Sequence, residues 1–159
     1  MSLIIKIRFY KKGSNNMYER FLVPVDGSEH SKHALKSAKK LAQNMGINAR
    51  ITLLNIIPSN NINNINTFAY GVDIEQLQVE EVRRILDESA QVLSGSSIQY
   101  DSEYHIGDPA EMICKKAKEG DYDLIVMGSR GLSLFSELLL GSVSHKVVQH
   151  ANCAVMIVK

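Results

Sequence analysis

Gly128, Ser129, Arg130 and Gly131 stand together, and nine residues separate them from Gly141 and Ser142, where a helical pattern begins. Each residue type in this constellation has a use in holding an anion. Glycines let backbone amides approach phosphate oxygens with no Cβ in the way, and a helix start offers unpaired N–H groups and a favourable dipole. The hydroxyls of Ser129 and Ser142 add donors. Arg130 could pair with a phosphate or a partner subunit, although an arginine on an exposed loop is more often solvated. A glycine pair after a strand is common; Gly-x2-Gly-x9-Gly-Ser between a strand and a helix is much more specific.

Other chemistries find less support. The chain has no Gly-Lys-Ser/Thr phosphate loop, no Gly-x-Gly-x-x-Gly turn after its first long apolar strand and no Gly-x-Ser-x-Gly elbow. Neither a P-loop NTPase, a dinucleotide oxidoreductase nor an α/β hydrolase is therefore indicated. No nucleophile, base and orienter can be named together, so no catalytic residue is assigned, and a slow ATPase is the furthest enzymatic reading. His105-Ile106-Gly107-Asp108 is close to the HIGH signature of nucleotidyl transferases, but its aspartate suits a helix cap and it reads as structural. His30 and His33 are three apart on a helix with no third ligand at a supporting spacing, so no metal site is expected. Lys146 is expected to face solvent or a carboxylate.

These residues need a scaffold, and the hydrophobic pattern supplies one. Phe21 to Val25, Ile51 to Ile57, Leu124 to Met127 and Ala154 to Val158 are apolar runs suited to strands covered on both faces. Asn55 is the polar interruption of the second. Ile98, Tyr100, Tyr104 and Ile106 alternate with Gln99, Asp101, Glu103 and His105, which predicts a strand near the sheet edge with its apolar face covered. Helical spacing follows Asp26-Gly27-Ser28, with Lys32, Lys36, Lys39 and Lys40 as a solvated face and Gly46 as the stop. A second helix is expected from a cap at Asp73 to Gly95, and a third from Asp108, with Pro109 and Glu111 in its first turn, to Gly120. The last helix spans roughly Ser142 to His150. Between the second strand and second helix, the asparagine-rich stretch from Ser59 to Gly71 reads as a surface connection. Alternating β-α units with right-handed crossovers give an α/β, doubly wound, five-stranded parallel sheet, in which ligands sit where strand order reverses.

Composition bounds the function. The 159 residues suit one domain, and a formal charge of +1 offers no global field for nucleic acid or an anionic membrane. Cys114 and Cys153 lack a CxxC spacing and suit free thiols in a reducing compartment, so a cytoplasmic location is expected. No apolar stretch approaches a membrane span, and no secretory signal is evident. Residues 1–17 read as an N-terminal extension that is either a loose tail or an added edge strand from Ile4 to Tyr10, with Met17 as a possible alternative start. Residues 18–159 form the domain proper.

The loop spacing, Val23-Pro24-Val25-Asp26-Gly27-Ser28 and Leu139-Leu140-Gly141-Ser142-Val143-Ser144 together resemble the universal stress protein family, in its ATP-binding branch. The resemblance runs from about Tyr18 to Lys159. It implies strand order 3-2-1-4-5 and a nucleotide-responsive stress protein that binds ATP, with Mg or Mn accompanying the nucleotide. Asp26 and Ile56 would border adenine and ribose, and Gly128, Gly131, Gly141, Ser142 and Val143 would surround ribose and phosphates. Met127, Ser129, Arg130 and Ser144 complete the candidate set. Asp26 also has an ordinary use as a turn or capping residue, and Ile56 as core. A homodimer through the last strand is implied too, and that uncharged apolar strand would otherwise present an open edge. The alternatives are a slow Mg- or Mn-dependent ATPase and a dimeric interaction module that binds no nucleotide. Three features depart from the family pattern: the extension, Ala154 where proline is usual, and Glu137 within the nine-residue spacer.

Overall fold

Phe21-Leu22-Val23 has no polar residue to turn toward water, and in the computed structural model all three side chains are fully buried in the middle of a sheet. The structure describes residues 4–6, 18–44, 49–59, 74–130 and 140–159. The central strand, β2 (Arg20–Pro24), is flanked in parallel by β3 (Arg50–Pro58) and β5 (Leu124–Gly128). β4 (Gln99–Gly107) extends the sheet beyond β3, and β6 (Ala154–Val158) extends it beyond β5, both parallel. The five parallel strands therefore lie in the order expected from the sequence, 3-2-1-4-5. A sixth, β1 (Ile4–Lys6), pairs antiparallel with the outer edge of β6, Ile5 standing opposite Met156. The rest of the extension, residues 7–17, lies outside the described residues.

Alternation along the strands divides the interior into two layers. Phe21, Val23, Leu53 and Val126 face α1 (Glu29–Asn44) and α2 (Ile74–Leu93), while Leu22, Leu54, Ile125 and Ile157 face α3 (Pro109–Glu119) and α4 (Ser142–His150). Helices on both faces leave the carboxyl ends of β2 and β5 as the place where the crossovers depart in opposite directions. The expected stop at Gly46, the expected cap at Asp73, and residues 60–71 of the asparagine-rich connection lie outside the described residues.

Two expectations change. Tyr100, Tyr104 and Ile106 are 42%, 39% and 46% exposed, so the apolar face of β4 is the open one. α2 packs on β3 and on part of β4, and leaves these three side chains of the margin partly open. On the opposite face Lys116 of α3 reaches across to Glu103, 2.7 Å away, and holds that polar side of β4 under the helix. Lys39 also departs from a purely solvated role, because its ammonium donates to the Val92 carbonyl at the end of α2 at 2.6 Å.

The start of α3 follows the expected design. Asp108 caps it, its carboxylate accepting the Glu111 N–H at 3.0 Å, with Pro109 at the first helical position. That N–H, and Lys146 3.6 Å away, hold the Asp108 carboxyl below its ordinary range. A depressed folded-state pKa contributes stability that is present above the unfolded value and disappears as pH falls through the folded one. Asp108→Ala should therefore lower the unfolding free energy at pH 7 by about 1 kcal/mol. Urea titrations should show that difference shrinking below about pH 4, where the wild-type carboxylate also protonates.

Candidate functional site

The turn leaving β2 is built from local hydrogen bonds. Gly27 has φ 81°, a left-handed conformation that strains any side chain. Ser28 then caps α1: its hydroxyl accepts the Ser31 N–H at 3.2 Å, and the Ser31 hydroxyl returns to the Ser28 carbonyl at 2.9 Å. Asp26 closes the turn by accepting the Ser28 N–H at 3.0 Å. Its turn role is thus real, and the same residue faces a cavity, so the two uses coexist.

Asn55, the polar residue in an otherwise apolar strand, has an equally local cause. Its amide donates to the Val25 carbonyl at 2.7 Å, tying the ends of β2 and β3 together beside the cavity. Without it, the Val25 carbonyl would be buried with one partner fewer.

Gly128 also has a packing use that the sequence did not reveal. A Cβ there would lie 2.7 Å from the carbonyl carbon of His30 and 2.8 Å from its Cβ, so the bare glycine lets the start of α1 rest directly on the end of β5. Gly141 is the opposite case. Its φ of −61° and ψ of 158° suit any residue, and an added Cβ would meet only ordinary contacts, Arg130 Cα at 3.4 Å being nearest.

Between these glycines the chain is clasped. Ser129 donates its N–H to the Val158 carbonyl at 2.8 Å, and its own carbonyl accepts both the Gly141 N–H and the Ser144 hydroxyl, each at 2.8 Å. The Ser144 hydroxyl also lies 2.9 Å from the Gly141 carbonyl. Ser129 and Ser144 are each 2% exposed, and they bring the two ends of the loop together. Gly131 and Glu137 fall within that loop and outside the described residues.

A cavity of about 550 Å³ opens where the strand order reverses, a size within the roughly 300–1,000 Å³ of small-molecule sites. Asp26, Ile56, Met127, Gly128, Arg130, Gly141, Ser142, Val143 and Ser144 all border it. Ser129 does not; it lies behind the wall as the hub of the clasp. The sequence reading missed the opposite wall, formed by Leu77, Gln78, Glu81, Val82 and Ile85 of α2, and the contribution of Pro109 and Ile113 from α3. The α2 residues lie on one helical face, but their apolar stripe looked the same as a face packed on a sheet.

The arrangement suits a ligand with a flat apolar part and an anionic part. Aliphatic side chains from β3, β5 and α2 form the walls, with few polar groups among them. At one end α4 begins with Gly141 as its N-cap and no side-chain cap, so the dipole of a nine-residue helix points its positive end at the cavity. Among the described residues, Arg130 is the cation bordering the cavity, against the carboxylates of Asp26 and Glu81. A hydrogen bond from Arg84 holds Glu81 below the ordinary carboxylate range, and the Arg84 guanidinium is raised between Glu81 and Glu88. Neither cysteine borders the cavity. Burial, with a smaller effect of the Asp123 charge, pushes the Cys153 thiol up to about 11, and burial also raises Cys114. Both thiols are free and protonated at neutral pH.

The two glycines can be told apart by stability. Gly128→Ala should cost about 1–3 kcal/mol in urea unfolding because its methyl overpacks the α1 backbone. Gly141→Ala should change it by less than about 1 kcal/mol, since the backbone already suits alanine. Equal effects would show that the α1 contact is not what requires glycine at 128.

Comparison with known proteins agrees with this geometry. A profile of the Universal stress protein family matches residues 17–159. Universal stress protein YxiE of Bacillus subtilis is 33% identical over 156 residues, covering 90% of this chain and 100% of that protein. Universal stress protein MJ0531 of Methanocaldococcus jannaschii is 26% identical over 162 residues, covering 99% and 94% respectively. Among solved structures, hypothetical protein MJ0577 superposes with a TM-score of 0.79 at 29% identity, covering 91% of this chain and 97% of that one. The universal stress protein UspA from Lactobacillus plantarum gives 0.75 at 29% identity, covering 91% and 100%. With the loop spacing, the parallel strand order and a match over nearly the whole chain in agreement, the protein belongs to the universal stress protein family.

Proposed function

We propose that this protein binds ATP in the cavity at the carboxyl edge of its sheet and acts in the cytoplasm as a nucleotide-responsive stress protein. The observation that carries the reading is the uncapped start of α4 at one end of an apolar cavity, beside a glycine that neither backbone conformation nor packing demands. Glycine is an ordinary helix N-cap, and here it also leaves the backbone N–H groups of the first turn open to a ligand in the cavity. Adenine would lie against Ile56 and the aliphatic wall, ribose near Asp26, and the phosphates toward Gly141, Ser142 and Val143, with Gly131 contributing from the loop.

The described residues hold no group of three or more His, Cys, Asp or Glu placed for a metal ion. A Mg or Mn ion would accompany the nucleotide as part of the same proposal. Solved universal stress proteins are known in complex with cAMP and with dAMP; at 24% and 20% identity they share the fold, and the ligand reading rests on this chain's own cavity and motif. A homodimer through β6, formed when that edge is free to pair, is part of the same proposal.

Calorimetric titration of nucleotide-free protein with ATP and Mg²⁺ should give a micromolar dissociation constant. Gly141→Val should weaken binding at least tenfold, about 1.4 kcal/mol, with an unchanged circular dichroism spectrum, because its side chain would fill the phosphate space. Unchanged affinity in that variant would remove the α4 terminus from the site. Chromatography of the titrated sample distinguishes a responsive binder, which retains ATP, from an ATPase, which accumulates ADP over repeated turnovers.

A further inference from the structure

β6 runs Ala154-Val155-Met156-Ile157-Val158, without a charge and with apolar cover on both faces. A strand of that kind at a sheet margin offers its unpaired backbone groups to any other strand. Here the margin is occupied from within: Ile4 stands opposite Ile157, Ile5 opposite Met156 and Lys6 opposite Val155. The pairing covers three residues of β6 and stops short of Ala154 and Val158.

The covering strand differs from the strand it covers. It is three residues long and carries Lys6, with Arg8, Lys11 and Lys12 following and no acidic residue in the first seventeen. Short edge strands and lysines are the features by which sheets stop growing. β6 is thus suited to pairing, while β1 is suited to ending it.

We propose that β1 is a detachable cover for a self-pairing edge: docked on β6 it keeps the chain monomeric, and its release lets β6 of a second copy take its place. This rests on the homodimer reading above and adds what controls it. Thirteen residues, 7–19, connect Lys6 to Arg20. They have to cross only the three strand spacings from β1 through β6 and β5 to β2, roughly 14 Å, whereas thirteen extended residues reach roughly 43 Å. A connection of that length suffices to reach, and a cover on the same chain competes at an effective concentration on the order of millimolar. A second copy at micromolar concentration must compete with that. Its advantage is length, since β6 against β6 can pair five residues where β1 pairs three. Shortening or breaking β1 should move the balance to the dimer.

The test compares the full chain, the full chain with Ile5→Pro, which disrupts the β1 ladder, and a chain beginning at Met17. Each is checked for folding by circular dichroism and weighed by light scattering across the micromolar range. The full chain should weigh 17.7 kDa, and both altered chains should approach twice their own monomer mass. Hydrogen exchange gives a second readout. Amides of β6 that face its outer edge should be protected in the full-length monomer, and in the altered chains protected only at concentrations where they dimerise.

If the full chain dimerises as strongly as the altered chains, or its outer β6 amides exchange freely as a monomer, the cover is wrong and the homodimer reading stands or falls separately. If all three remain monomeric, β6 is not a self-pairing edge and both readings fail. If the altered chains dimerise while β6 amides still exchange freely, the interface lies elsewhere and the proposal is overturned.

Discussion

The close approach of the start of α1 to the end of β5 is the contact on which the rest of the site depends. The His30 backbone rests where a Cβ of residue 128 would be, so the first helix can begin immediately beside the neighbouring strand. Interiors packed to crystal-like density do not absorb an added methyl there without movement. That placement sets where the Asp26-Gly27-Ser28 turn lies relative to the loop after β5. Since the crossovers from β2 and β5 leave toward opposite faces, a crevice between them is unavoidable.

Around that crevice, the polar residues divide into those that hold the walls and those left for a ligand. Asn55, Ser28, Ser31 and Ser144 satisfy backbone groups at strand ends and helix starts. Ser129 contributes only backbone bonds to the clasp, accepting from both Gly141 and Ser144. Buried backbone groups require such partners, and short side chains reach them with little loss of rotamer freedom. Among the described residues, those bordering the cavity include the start of α4 with Ser142, Arg130, Gln78, and the carboxylates of Asp26 and Glu81.

The two margins of the sheet are handled differently. At β4 the apolar face is partly open, while Lys116 and Glu103 hold the other face under α3. At β6 both faces are covered and the exposed feature is the backbone edge itself, which β1 closes over three residues. A side-chain face can be tolerated in water because exposed apolar groups are common on proteins. An open apolar edge invites another strand, and here β1 occupies part of it.

Much of this was legible from residue order alone. Apolar runs with period two or continuous burial located the five parallel strands, Asp108-Pro109-Ala110-Glu111 located the start of α3, and the limits of α4 and β6 followed from their patterns. The loop spacing, with Asp26 and Ile56 added by the family resemblance, gave eleven candidate residues of which nine border one cavity; Ser129 lies behind the wall, and Gly131 falls outside the described residues. These features are local or repeat at fixed intervals, so the chain itself carries them. Tertiary structure alone decided that α2 forms the second wall, that Gly128 is required by the His30 backbone, that the apolar face of β4 is exposed, and that Ile4–Lys6 lies on β6. Each depends on which distant segments meet, and a side chain's type does not state the distance to a neighbour a hundred residues away.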